Sequence, residues 1–149
     1  MCTYCGCESI ETIGRFMAEH TQIINAAGAL GRACGSGDPA AVERAADRVG
    51  QLLHPHTEAE EVGLFTVMRR QEQFEDHIDS LCAEHTTLDE QLAAIRAGDH
   101  DRYAEFMHDL RHHIEREDNG LFPAAAIALD GPDWDEVVED TPPPPPPAP

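Results

Sequence analysis

Two stretches of this 149-residue chain carry metal-ligand side chains at the same spacing. One is His56-Thr57-Glu58-Ala59-Glu60-Glu61-Val62-Gly63-Leu64-Phe65, and the other is His113-Ile114-Glu115-Arg116-Glu117-Asp118-Asn119-Gly120-Leu121-Phe122. Aligned without gaps, His56 matches His113, Glu60 matches Glu117, and Gly-Leu-Phe closes both. A shorter echo, Ala18-Glu19-His20-Thr21 against Ala83-Glu84-His85-Thr86, adds one lone His to each half. Residues four apart on a helix are stacked neighbours about 6 Å apart, so each His-x-x-x-Glu pair can bind one ion or bridge two. Imidazole with carboxylate suits iron, manganese or zinc rather than copper(I) or calcium. Four His and two bridging carboxylates supply about eight bonds, so two octahedral ions keep about four positions free. Those positions leave room for an oxo or hydroxo bridge and for a small exogenous ligand.

The elements that position these side chains are helices. At about 100° per residue, His113 and Glu117 share a stripe with Tyr103, Phe106, Leu110 and Leu121. His56 and Glu60 fall with Val42, Val49, Leu53 and Leu64. His20 sits among Ile13, Phe16, Met17 and Ile24, and His85 among Ile78, Leu81, Cys82 and Leu92. Six ligand-type groups therefore converge on an apolar interior, where unpaired charges cost several kcal/mol each. One such His alone is ordinarily a hydrogen-bonded core residue; six in matched spacing on four helices point to metal. His54, His77, His100, His108 and His112 fall off these faces and read as surface or rim side chains.

Four helical segments are expected, at about Ser9–Arg32, Pro39–Arg69, Glu72–Ala97 and Asp99–Ala126. Cys34-Gly35-Ser36-Gly37 separates the first two, and Asp38 and Asp99 are candidate N-caps. Short connections suggest an all-α, up-down-up-down four-helix bundle over residues 9–130, with no sheet. Pro55 inside the second helix removes a backbone hydrogen bond and should kink it. Residues 131–140 form a short C-terminal cap, in which Asp133 would cap one more turn and Trp134 would plug the bundle end. Residues 141–149 form a disordered proline-rich tail, whose six consecutive prolines favour a polyproline II rod with no core.

Carboxylates outnumber basic residues by 19, which argues against nucleic acid or an anionic membrane as partner. No apolar run approaches the roughly 20 residues of a membrane span, and no leader-like start is present, so a cytoplasmic location is expected. All ten basic residues are Arg, which points to a GC-rich bacterial genome. Five cysteines do not form a disulfide framework in such a compartment. Cys2, Cys5 and Cys7 crowd the N-terminal segment 1–8 in a Cys-x-x-Cys-x-Cys run, which can hold a soft metal or cycle as a dithiol. A frayed terminus with free thiols is an equally good reading.

From about Ile10 to Asp130 the pattern resembles the hemerythrin-like, or HHE cation-binding, family. The carrying residues are His20, then His56 with Glu60 and Leu64-Phe65, then Glu84-His85, then His113 with Glu117 and Leu121-Phe122-Pro123. The resemblance implies a di-iron centre bridged by Glu60 and Glu117, with the four His as terminal ligands. It also implies reaction with oxygen, hydrogen peroxide or nitric oxide. One departure stands out: oxygen carriers of the family place a second His one turn after the third-helix His, and this chain has Asp89 there. Asp89 is expected to face the site, as an added ligand or beside one, and to favour redox turnover over plain oxygen carriage. The expected function is thus a non-haem di-iron oxidoreductase with catalase- or peroxidase-like turnover, drawing on an electron donor the sequence does not name. The alternative is a non-catalytic protein that binds or senses oxygen or iron.

Overall fold

The computed structural model describes residues 10–147, and they contain five helical rods and no strand. The N-terminal run with Cys2, Cys5 and Cys7 lies outside the described residues. Helix α1 spans Glu11–Ser36 and passes through the Cys34 region expected to be a loop. It stops at Gly37, whose positive φ of 71° is the left-handed conformation glycine adopts without steric cost. Asp38 then accepts a hydrogen bond from the Ala40 amide and Pro39 opens α2, Pro39–Ala59. The rod continues through a π-helical segment, Glu60–Phe65, to Thr66–Met68. Pro55 lies inside α2, and the change from α to π geometry comes one turn later, at Glu60.

A 3-10 turn, Glu72–Phe74, leads into α3, Glu75–Arg96. Another, His100–Arg102, leads into α4, Tyr103–Arg116, and the side chain of Asp99 makes no capping bond. This rod also turns π-helical, at Glu117–Leu121, before ending as Phe122–Ala128. Helix α5, Gly131–Asp140, is longer than the single turn expected. Its cap is Asp130, in a reciprocal box with Asp133, rather than Asp133 itself.

Each long helix packs on the next, α1 on α2, α2 on α3, α3 on α4, and α4 returns to α1. Two apolar cores fill the space between them. One gathers Ile13, Phe16, Leu64, Phe65, Leu81, Leu121 and Phe122, with α5 closing it through Val137 and Trp134. The other gathers Ile23, Leu30, Val49, Leu53, Leu88, Leu92, Phe106 and Leu110. On every long helix the ligand-type residues fall between the two sets, so a polar layer crosses the molecule between two greasy ends. Pro142–Pro147 are not helical, and Pro144–Pro147 run beside α1 and α2 rather than away from the fold.

Candidate metal centre

His20, His56, His85 and His113 are each no more than 3 % exposed, and Glu60 and Glu117 are fully buried. Their donor atoms form two groups, His20, His56, Glu60 and Glu117 on one side and Glu60, His85, His113 and Glu117 on the other. Within each group the atoms lie within 4.8 Å of one another, and both groups share the two glutamates. The π-helical segments begin at these glutamates. A π turn carries an extra residue per turn, which shifts the side chains that follow relative to those before, and such turns recur at functional sites. The shift leaves His56 and Glu60 facing inward while Phe65 still reaches the core.

The distances fit a cation. His85 Nε2 and His113 Nε2 are 3.1 Å apart. His113 Nε2 is 3.2 Å from Glu117 Oε1, and His56 Nε2 and His85 Nε2 are each 3.3 Å from Glu60 Oε1. Two donors held at right angles by one ion at about 2.1 Å stand about 3 Å apart. His56 Nε2, both Glu60 carboxylate oxygens and Glu117 Oε2 are buried yet make no hydrogen bond. Buried polar atoms without partners are costly and scarce. Four of them aimed at one another across the interior are the pattern a cation would satisfy.

Each imidazole is fixed from behind through Nδ1. His20 Nδ1 lies 2.8 Å from Asp118, His56 Nδ1 2.8 Å from Glu19, His85 Nδ1 2.9 Å from Glu61, and His113 Nδ1 2.7 Å from Glu84. An ionised carboxylate only accepts, so Nδ1–H donates in all four, and Nε2 is the nitrogen turned to the interior. The carboxylate comes each time from the preceding helix around the ring: α4 holds α1, α1 holds α2, α2 holds α3 and α3 holds α4. Sequence reasoning missed these four, although the signal was there. Glu19 and Glu84 directly precede the lone histidines, and Glu61 and Asp118 directly follow the buried glutamates. Arginines back two of them, Arg15 on Glu19 at 3.0 Å and Arg116 on Glu84.

Burial alone would lower the pKa of these imidazoles, and the surrounding carboxylates reverse it. The Glu60 charge and the bond to Glu19 carry His56 up to about 10, and the Glu117 charge does the same for His113, also to about 10. His20 and His85 are raised by their own carboxylate partners, Asp118 and Glu60 first. Burial opposes ionisation of Glu117, but His113 and His20 hold it well below the ordinary carboxylate range. Protons and a cation thus compete for the same nitrogens.

Aromatic rings wall the site. Phe65 stacks on His85 with centroids 5.9 Å apart, and Phe122 stacks on His20 at 5.8 Å. The Leu-Phe signature therefore places a ring against the lone His of a neighbouring helix. Phe16 meets His56 edge-on at 5.5 Å.

Residues 11–125 match the hemerythrin HHE cation binding domain. The chain belongs to this family. No curated protein and no solved structure matches it. Family membership makes it a cation-binding helical protein, and the two clusters of His and Glu are where a cation fits. No helix among the described residues is long and apolar enough to cross a membrane.

Asp89 is not brought into either cluster. It lies 3.1 Å from His54 Nε2, and both side chains are about half exposed. One and two turns beyond His85, the inward positions of α3 are taken by Leu88 and Leu92, both buried. That leaves Asp89 at the α2–α3 seam, beyond the level of the site. His112 and His108 are exposed, as their helical phase requires, whereas His77 is half-buried and burial lowers its pKa.

Proposed function

We propose that this chain is a non-haem di-iron protein built on an up-down-up-down bundle, with one ion between His20 and His56 and the other between His85 and His113. The observation that carries this is the pair of four-donor groups sharing Glu60 and Glu117, with the orphaned carboxylate oxygens between them. When bound, the irons would supply the electron transfer that reactions with oxygen, hydrogen peroxide or nitric oxide require. The protein's own residues do the rest. The four Nδ1–H donors and their carboxylates hold each ring in one tautomer and orientation, which raises ligand basicity. Glu60 and Glu117 span the two positions and offset positive charge where the surroundings are dry. Phe16, Phe65 and Phe122 exclude water from the rings they touch. The ligand acted on is a small diatomic or peroxide, in the cytoplasm, with an external electron donor.

The second reading is a non-catalytic protein that binds or senses oxygen or iron. It gains from the position of Asp89, since the argument that an anion beside the irons favours turnover does not apply to a residue paired with His54. Iron-loaded protein challenged with hydrogen peroxide separates the two. Sustained peroxide decomposition supports the oxidoreductase, and a stable reversible oxygen complex without peroxide turnover supports the binding protein.

A further inference from the structure

Beside the centre the structure holds two related hollows. One is a cavity of about 210 Å³ lined by Glu84, Thr87, Leu88, Asp109 and His112, on the outer side of the bond from His113 to Glu84. The internal repeat maps Glu84 onto Glu19, Thr87 onto Gln22 and His112 onto Pro55. Glu19, Gln22 and Pro55 line the other cavity, of about 1100 Å³, which reaches the edge of His56. Here the hollow has a wall that its counterpart lacks, the extended run Pro144–Pro147.

The chain leading into that run is fastened in two places. Arg15 Nη1 donates a 2.7 Å hydrogen bond to the Pro142 carbonyl, while its Nε donates to Glu19, the carboxylate that orients His56. Just before it, Thr141 lies so close over Gly63 that a Cβ there would stand 3.2 Å from the Thr141 Cα. Consecutive prolines suit this placement. They make no hydrogen bonds among themselves and are stiff before they dock, so little chain freedom is lost on docking.

We propose that the proline run is a cover over a solvent vestibule ending on His56, that Arg15 is the residue positioning it, and that it slows exchange of the ion held by His20 and His56. This rests on the two-ion reading above. No proline run lines the smaller hollow among the described residues, so the ion that His85 and His113 would hold serves as an internal reference.

The test is metal release to an excess of a small chelator, followed by metal analysis over time. It compares the full chain with a chain ending at Thr141 and with a full-length Pro144→Gly, Pro146→Gly double variant, which keeps the length but softens the run. Both altered proteins should lose one ion per chain faster than the full chain, the shortened chain about tenfold, the scale of the one charge-assisted hydrogen bond it lacks, and the other ion at an unchanged rate. Arg15→Gln should speed loss of the same ion. Two ions lost at the same rates from all these proteins would overturn the cover and leave the centre standing. A full chain that never holds two ions would overturn the centre, and the cover with it.

Discussion

The hairpin of α1 and α2 and the hairpin of α3 and α4 agree in the His and Glu side chains of the centre and in the carboxylates behind them, and diverge in part of the packing around them. His20 and His85, His56 and His113, Glu60 and Glu117 coincide in spacing, burial and the π turn that follows each glutamate. The orienting carboxylates coincide as well, Glu19 with Glu84 and Glu61 with Asp118. Phe16, by contrast, answers to Leu81, and Gly63 lies under Thr141 while Gly120 has open space around it. Arg15 reaches Glu19 along its own helix, whereas Arg116 reaches Glu84 from the neighbouring one. The two-fold relation is thus tightest in the layer of His and Glu side chains where a cation fits, and looser in the core and surface around it.

The largest effect that would break this comparison is loss of a ligand. His113→Ala should remove or cripple metal binding while its neighbour His112→Ala leaves it intact, as the first is buried and the second exposed. His56→Ala should match His113→Ala, since the two rings occupy equivalent places. Metal content of the three purified variants checks this, and equal loss from His112→Ala and His113→Ala would refute the buried arrangement. A smaller effect belongs to the carboxylates behind the rings. Glu19→Ala and Glu84→Ala should each weaken metal affinity by about 10–100-fold. Competition with a chelator of known affinity measures both, and a large inequality would show that the halves are not equivalent.

Acidity sharpens the same point. His56 and His113 have pKa values of about 10 against 6.5 for a free imidazole. The stability they lend the metal-free protein is complete below about pH 6.5 and is lost as pH rises towards 10. Metal-free protein should therefore unfold more easily in urea as pH rises through that window, and loading with metal near neutral pH should release protons into weakly buffered solution. Loading without proton release would contradict the charged pairs described here. Glu117 acts in the opposite sense, its contribution being present above about pH 4.5 and lost as pH falls well below it. The smallest effect concerns the two glycines. Gly63→Ala should destabilise by about 1–3 kcal/mol by crowding Thr141. Gly120→Ala should stabilise by about 0.5–1 kcal/mol, because none of the described residues comes within 4 Å of the added methyl. Denaturant midpoints of the pair settle whether the asymmetry is real.

Much of the centre was legible because metal ligation demands particular residue types at helical spacing. The His-x-x-x-Glu repeat placed His56, Glu60, His113 and Glu117 on one face, and the apolar stripe around His20 and His85 added the rest. What the sequence hid depended on contacts between helices. Helical phase set Asp89 near His85, but phase does not record that Leu88 and Leu92 fill the interior over the next two turns. The orienting carboxylates sat in plain view beside the ligands, yet only packing reveals which ring each one meets. The proline run could not be placed from composition, because its position is set by one Arg15 bond and one glycine contact rather than by any periodicity.

A two-ion site shared by the two repeated halves fixes the metal content of the protein. Metal analysis of protein produced with ample iron tests it most directly. About two irons per chain are expected, the number that two four-donor groups sharing Glu60 and Glu117 can hold. Zinc alone, or a single ion per chain with no second binding event on titration, would contradict it.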